Sequence, residues 1–377
     1  MKTEIGCGFD CRIIRGTDDI SALSKDWDNL FNQAYIAPPY LSRALVQTFI
    51  TEKNVKGKPL LVTAWCDSKL VAILPLTIHN YLGLKLAKVV PTNFLCCTGI
   101  LIDPEFQEAI DTIVDVFRKE KIAHILYNKY TSSEDIFTNK LFEKLNKQGF
   151  TGRRLKHNIC LKGQVETDFD EFLRKNRTRK QREKLLYHER RVYKSGNVTI
   201  VKYVGKQITP EIIARLADIQ KNSWIKEEGK AVLVQPFYQK LLLELGRSGI
   251  GCAWILNVDN EDTAFLFGLR ANNNFYMKWM SYKRTYGSST LSYGKVLYTH
   301  VIRDICNEGI SLINFGLGES RWKRYWATEK DIVDIVISGK GFIGNTVSLL
   351  CGILLKCSKL RWKLHQRIRK IRNNFNN

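Results

Sequence analysis

The stretch PLLVTAWCDSKLVAILPLTIHN, residues 59–80, alternates as two strands around a tight turn at Cys66-Asp67-Ser68-Lys69. In the opposite half, GCAWILNVDNEDTAFLFGLRANNNFYMKWMSYK, residues 251–283, repeats the pattern with turns at Asp259-Asn260-Glu261-Asp262 and Asn272-Asn273-Asn274. Laid side by side, the hairpins set Ala72 against Ala264 and Leu74 against Leu266. Each is followed by a Gly- or Asn-bearing loop, a helix and a further strand, an order that predicts two copies of one unit. Two unrelated antiparallel hairpins would match as weakly in letters; it is the order of elements that favours repetition. Pro75, without an N–H to give, predicts an irregularity or an edge in its strand.

The intervening segments read consistently with this. EFQEAIDTIVDVFRKEKIAHILY is an amphipathic helix leading into a strand, and SEDIFTNKLFEKLNKQGF is a second helix with Gly149 as its stop. Strand and helix periods alternate throughout, so the fold class is α+β (α/β), each unit a mixed, mostly antiparallel sheet flanked by helices. At 377 residues two domains are expected, placed at 1–163 and 164–339, with a basic tail over 340–377.

Lys and Arg outnumber Asp and Glu by 59 to 37, a net charge of +22 that draws anions: nucleic acid, anionic lipid or a phosphorylated ligand. Part of it lies in DFDEFLRKNRTRKQREKLLYHERRVYKSGNV, which reads as one solvated basic helix started by Asp168. Such a helix serves as a connector, faces RNA or lipid, or borders an anionic substrate. The tail KCSKLRWKLHQRIRKIRNNFNN has no acid and an apolar stripe at Leu360, Leu364 and Ile368; with 342–355 it reads as an interfacial helix on anionic lipid, or as a helix docked on its own domain. The ten cysteines form no C-x-x-C pair, which predicts free buried thiols in a reducing compartment and no zinc site. With no basic start followed by an apolar run, the chain is expected to be cytoplasmic, peripheral on the inner face of the membrane if the tail binds lipid.

Chemistry concentrates late in the chain. The strand Tyr276–Tyr282 feeds a polar loop, Arg284–Gly294, with Ser288, Ser289, Thr290 and Ser292, and a helix follows through Val296, Leu297, Val301 and Ile305. Unpaired amides at such a helix start attract phosphate. Neither a Walker A loop nor a G-x-G-x-x-G fingerprint is present. A further strand ends in NFGLGESRWKRYWATE, where Trp322, Lys323 and Trp326 share one side of a short helix. His300 falls on an apolar side and reads as a core residue; no Ser-His-Asp set or metal cluster is visible.

From about residue 165 to 340, strand, RTYGSSTLSYGKVL, helix, strand and NFGLGESRWKRYWATE together resemble the GNAT superfamily of acyltransferases. The resemblance is to the CelD-type branch, which pairs two GNAT-like domains as Fem-type peptidoglycan aminoacyltransferases do. DIQKNSWIKEEGK is similar to that branch's helix ending in Trp, with Trp224 and Gly229 in place. Where the branch has Ser-Pro-Gly this chain has Ser292-Tyr293-Gly294, and where it has Asp-Phe this chain has Asn314-Phe315.

The resemblance implies two tandem GNAT-like domains and transfer of an acyl group, usually acetyl from acetyl-CoA, to an amine, without a metal. It implies backbone amides around Met280, Ser281 and Tyr282 to polarise a thioester carbonyl. It implies Arg284, Ser288, Ser289, Ser292, Tyr293, Gly294 and Lys295 to hold a pyrophosphate. Lys323 would sit by the donor and Glu319 would accept a proton, with Tyr282 beside the reacting carbonyl; helix-start packing is the plainer role for Glu319. Trp224, Trp322 and Trp326 would face the acceptor, although core packing is the plainer role for the last two. The acceptor implied is an amine of a sugar or of a lipid-linked polysaccharide or cell-envelope precursor. Two other readings stand beside this: a Fem-like ligase fed by aminoacyl-tRNA, and a non-catalytic nucleic-acid or membrane binder on a GNAT scaffold.

Overall fold

The structure, a computed structural model, describes residues 8–34, 36–51, 57–91, 97–165, 168–227, 229, 231–283, 291–342 and 344–354, with backbone alone at Trp224 and Glu227. In the first half, β1 (Asp10–Arg15) precedes helices α1 (Thr17–Ala22), α2 (Ser24–Gln33) and α3 (Arg43–Thr51). Strands β2 (Lys58–Cys66), β3 (Lys69–Tyr81), β4 (Leu84–Val89) and β5 (Leu101–Ile102) follow, then α4 (Ala109–Lys119), β6 (Ile125–Ser132), α5 (Ile136–Lys147) and β7 (Phe150–Gln164). Helices α6 (Phe169–Asn176) and α7 (Arg179–Tyr193) lead into the second half. There β8 (Val198–Val204), α8 (Pro210–Lys221), α9 (Trp224–Glu227), α10 (Pro236–Arg247), β9 (Gly251–Val258), β10 (Glu261–Ala271) and β11 (Asn274–Tyr282) repeat the first order. Then come α11 (Tyr293–Asn307), β12 (Leu312–Leu317), α12 (Arg321–Trp326), β13 (Glu329–Lys340) and a helix over 344–354.

The repetition extends to irregularities. β3 pairs β2 with a slip that leaves Val71 out, just before Ala72, and β10 pairs β9 with a slip that leaves out Thr263, just before Ala264. Both hairpin turns place two residues at positive φ, Asp67-Ser68 and Asp259-Asn260, the twist that tight hairpins require. Pro75 falls where the neighbour of β3 changes from β5 to β4, so its missing N–H costs no ladder bond, and its carbonyl accepts from Val90 at 3.0 Å.

All strands join one sheet in the order β1-β2-β3-β4-β6-β13-β7-β12-β11-β10-β9-β8, with β5 on β3. Only β4 with β6 and β11 with β12 run parallel. The last strands of the halves are exchanged: β13 lies against β6, β7 lies against β12, and the two pair with each other over their full length at the centre. There the buried Asp331 carboxylate accepts from Ser132 Oγ at 2.6 Å and Ser133 Oγ at 2.9 Å and lies 3.4 Å from Lys162 Nζ, which also bonds Glu134 at 2.5 Å. Burial works against the Lys162 charge, but Glu134 and Asp331 outweigh it and hold the ammonium above its ordinary value.

On one face of the sheet α2 and α3 share a single core with α8 and α10, built around Trp27, Tyr40, Leu45, Leu216, Leu241 and Phe265. On the other face α4 and α5 cover the first half, and α6, α7, α11 and α12 cover the second. The helix over 344–354 returns to the first face, where Val347 and Cys351 pack on Ile125, Ile335 and Ile337. The basic stretch after Asp168 is two helices rather than the single one expected. Thr178 takes extended backbone and forms a reciprocal capping box with Gln181, which starts α7 afresh. Cys97, Cys160, Cys252 and Cys306 are buried thiols outside any disulfide, as expected, and burial pushes Cys252 and Cys306 up to about 12. Cys66 is disulfide-bonded, against the expectation of free thiols throughout.

Candidate active site

The site grows from a parting of two parallel strands. β11 and β12 pair only over Asn274–Tyr276 and Leu312–Asn314; Gly316 still approaches the Met277 carbonyl, and beyond it the strands diverge. β11 bulges at Lys278, which the β10 register skips between Met277 and Trp279. The β12-facing backbone of Met280, Ser281 and Tyr282 therefore has no strand partner among the described residues. β12 turns away for a chemical reason. Asn314 Oδ1 accepts from Gly316 N–H at 2.8 Å and from the Cys160 thiol at 3.0 Å, and Gly316 and Gly318 take φ of 73° and 92°, which favours glycine.

The polar loop Arg284–Thr290, and with it Arg284, Ser288 and Ser289, lies outside the described residues. Its far end does not. Ser292 stands at the N-cap of α11 without a side-chain cap bond; Lys295 N–H donates to the Ser292 carbonyl at 2.9 Å, and the amides of Tyr293 and Gly294 have no partner among the described residues. Gly294 lies under the ring of Tyr282: a Cβ there would come within 3.0 Å of that ring. Around this helix start α7, α11 and α12 gather Lys184, His188, Lys295 and Arg321. Lys295 Nζ lies 3.4 Å from His188 Nε2. Partial burial, then Lys184 and Arg321, hold the Lys295 ammonium below its ordinary value; burial, then Lys295, Lys184 and Arg191, do the same to His188. Among the described residues Lys184, Lys295 and Arg321 have no salt-bridge partner. Cations this close without an acid define a place for a polyanion.

Ser281 Oγ and Tyr298 Oη are buried and have no hydrogen-bond partner among the described residues. Such orphans cost about 1–3 kcal/mol each. Burial holds Tyr298 well above the ordinary phenol value, so it stays a donor.

Lys323 reaches back over the glycine turn, its Nζ donating to the Leu317 carbonyl at 2.6 Å and approaching Gly316. The chain thus brings Lys323, Tyr282, Ser281, Met280, Tyr293, Gly294 and Lys295 to the two edges of one parting. Glu319 is exposed and ion-paired with Lys330 at 3.0 Å. Trp322 is half-buried and meets Tyr298 edge-on at 4.5 Å. Trp326 is buried, stacked on Phe172, and belongs to the core. Trp224 opens α9, which follows the Ser223 bridge to Lys283 at the end of β11. His300 is half-buried, and burial holds it below its ordinary value.

Sequence reasoning missed Lys184, His188 and Arg321, because α7 is cationic all round and nothing in its letters says which side faces α11. It also missed Lys278, whose ammonium lies between the rings of Tyr40 (5.9 Å) and Trp279 (5.4 Å) on the opposite face of the sheet. A strand period broken by one residue in FYMKWMSY was the available signal.

The first half parts its strands in the same place, β4 from β6 after Lys88 and Tyr127, and then fills the gap with its own chain. Asn128, just beyond the last paired residue of β6, accepts from Thr98 Oγ1 at 2.5 Å and donates to the Thr98 carbonyl at 2.6 Å; Thr98 N–H donates to the Tyr130 carbonyl at 2.9 Å. Gly99 is pressed on Thr138, where a Cβ would fall 1.8 Å from Oγ1.

A strand bulge, a parting beside it and a helix start ringed by cations thus stand together in the second half, and comparison with known proteins falls on the same part of the chain. Residues 179–324 match the acetyltransferase (GNAT) domain family. No curated protein sequence matches the chain. Among solved structures, FemX aligns at a TM-score of 0.59 and 10% identity, covering 86% of this chain and 96% of that one. The C-terminal domain of a putative lysylphosphatidylglycerol synthetase from Agrobacterium fabrum aligns at 0.54 and 13%, covering 88% and 95%. The fold, two like halves in one mixed sheet, is shared with them, and the stretch that matches the acetyltransferase (GNAT) domain lies in the second half.

Proposed function

We propose that the protein is an acyl-CoA-dependent N-acyltransferase, with acetyl-CoA as the donor, acting on an amine of a sugar or lipid-linked cell-envelope precursor. The observation that carries this is the uncapped start of α11, ringed by Lys184, His188, Lys295 and Arg321 and opening on the parted β11 and β12. A neutral amine attacks the thioester carbonyl, the C–S bond breaks, and the amine's surplus proton leaves with the thiol or to water. The chain's part is to hold and polarise. Amides of Met280–Tyr282 would face the carbonyl oxygen, and the first turn of α11 with Arg284, Ser288, Ser289 and Ser292 would hold the pyrophosphate. Lys323 would fix the Gly316–Gly318 turn at the reacting end, with Trp224 and Trp322 toward the acceptor. Glu319, tied to Lys330, is the weaker candidate for a proton acceptor.

Calorimetric titration of acetyl-CoA tests this: binding with a Kd on the order of 1 µM to 1 mM is expected. Lys323→Ala would lower turnover once an acceptor is found, and no heat with acetyl-CoA at millimolar concentration would sink the proposal. The net charge of +22 favours one second reading, aminoacyl transfer from tRNA. Turnover with aminoacyl-tRNA and none with acetyl-CoA would select it.

A further inference from the structure

The three most exposed large apolar side chains among the described residues are Leu82 at 106%, Phe342 at 86% and Leu354 at 67%. Leu82 and Phe342 are held at one end of the sheet, and Leu354 ends the helix that starts there. Leu82 caps the β3–β4 turn. Lys85, at its foot, donates its N–H to His124 Nδ1 at 3.0 Å, and the His124 carbonyl accepts from Lys340 N–H at 2.8 Å. His124 thus ties the turn to the end of β13, where Phe342 follows. From there the helix over 344–354 lies down on β6 and β13. Its inward side is small, Gly344, Ser348 and Gly352, and its outward side is Leu349, Leu350, Ile353 and Leu354 with no charge among them. A helix with its apolar stripe turned outward lacks, among the described residues, the partner that stripe implies.

We infer that this end of the sheet, with the outward side of helix 344–354, is a docking surface for a bilayer rich in anionic lipid. Charge chooses the occupant. A groove beside the turn is lined by Arg15, Lys58 and Lys85 with Glu120 as its one acid, and Lys340 stands next to Phe342. No acid follows Asp334 in the sequence, while nine Lys and Arg do. Apolar side chains that enter the acyl boundary amid a skirt of cations are what an anionic leaflet holds; a second copy of so basic a surface would repel it. β11 and β12 run antiparallel to β7, toward this same end, so the parted strands open in the direction from which a lipid-linked acceptor would come. The inference stands apart from the acyl-transfer reading, because binding to vesicles is measured without donor or acceptor.

The test is co-sedimentation of the full chain with phosphatidylcholine vesicles, with and without 40% phosphatidylglycerol (about that share, to set a surface potential of tens of millivolts). Binding is expected only to the anionic vesicles and should weaken in high salt. Leu82→Ser with Phe342→Ser, both exposed and so without effect on folding, should weaken partitioning about tenfold with the tail intact. Leu82→Trp should shift its emission to the blue on binding and be quenched by brominated acyl chains. Unchanged binding of the double variant, an unquenched Leu82→Trp, or equal affinity for RNA and vesicles that leaves Leu82→Trp unshifted, would overturn the inference. Titration of acetyl-CoA into the same samples keeps this result separate from that of the active site.

Discussion

The two halves share a slip in their first hairpin, at Val71 and Thr263, and differ in the bulge at Lys278, which β4 lacks, and in what is seen beside the parted strands. In the first, Thr98 runs along β6 and the strand that follows pairs with β3, pinned by Asn128, Tyr130 and Thr138. In the second, the described residues leave the matching edge of β11 without a strand partner and gather Lys184, Lys295 and Arg321 near it. The parting of the strands is therefore a property of the unit, and the cluster of cations is a property of the second half alone among the described residues.

The largest effect is expected at the seam the halves share. Asp331→Ala leaves Lys162 buried beside Glu134 alone and should cost about 3–5 kcal/mol in chemical denaturation. Two transitions in place of one loss would show that the halves fold separately. Next come the glycines. Gly294→Val, set against Tyr282, should weaken acetyl-CoA binding by on the order of a hundredfold with little change in Tm. Gly99→Val should do the reverse, lowering Tm and leaving the residual folded protein's affinity intact. Arg321→Ala and Lys295→Ala should each weaken binding about tenfold, as for one charge-assisted contact, while Lys88→Ala and Lys129→Ala in the first half leave it unchanged. Hydrogen exchange with acetyl-CoA should protect 277–283 and 291–300 and spare 85–89 and 125–130; equal protection would erase the distinction between the halves.

The smallest effect is in pH. Burial chiefly, with Lys88 beside His79 and Lys295 beside His188, holds both imidazoles below the ordinary 6.5. Folded protein then binds fewer protons than unfolded protein below 6.5, so unfolding takes up protons and acid promotes it: Tm should fall as pH drops from 7 to 5 and stay level above. Affinity for the donor runs the other way. A phosphate beside His188 favours its charged form, so acetyl-CoA should bind about two- to fourfold tighter at pH 6 than at pH 8, a difference that His188→Gln removes.

The hairpins were legible because Asp67-Ser68 and Asp259-Asn260 announce their turns and the flanking strands alternate. The glycine turn and the short helix carrying Lys323 were legible for the same local reason. The break between α6 and α7 was in the letters as Thr178-x-x-Gln181, hidden among cations that read as one helix. The exchange of β7 and β13 was not legible: each alternates as a strand should, but pairing partners nearly two hundred residues apart leave no local mark. The proposed anion site was half visible, since the loop before α11 is a sequence feature and the side of α7 that brings Lys184 and His188 to it is a packing feature.

That exchange reaches back to synthesis. Ser132 meets Asp331 across 199 positions of chain, and β6 has no neighbour on its inner side until β13 exists. A ribosome that has delivered the whole first half has delivered a sheet with an open edge, which must wait through the second half for its closing strand. Such a nascent chain is a natural client for chaperones, and a stop codon just before β13 would damage the oldest part of the molecule as much as the newest.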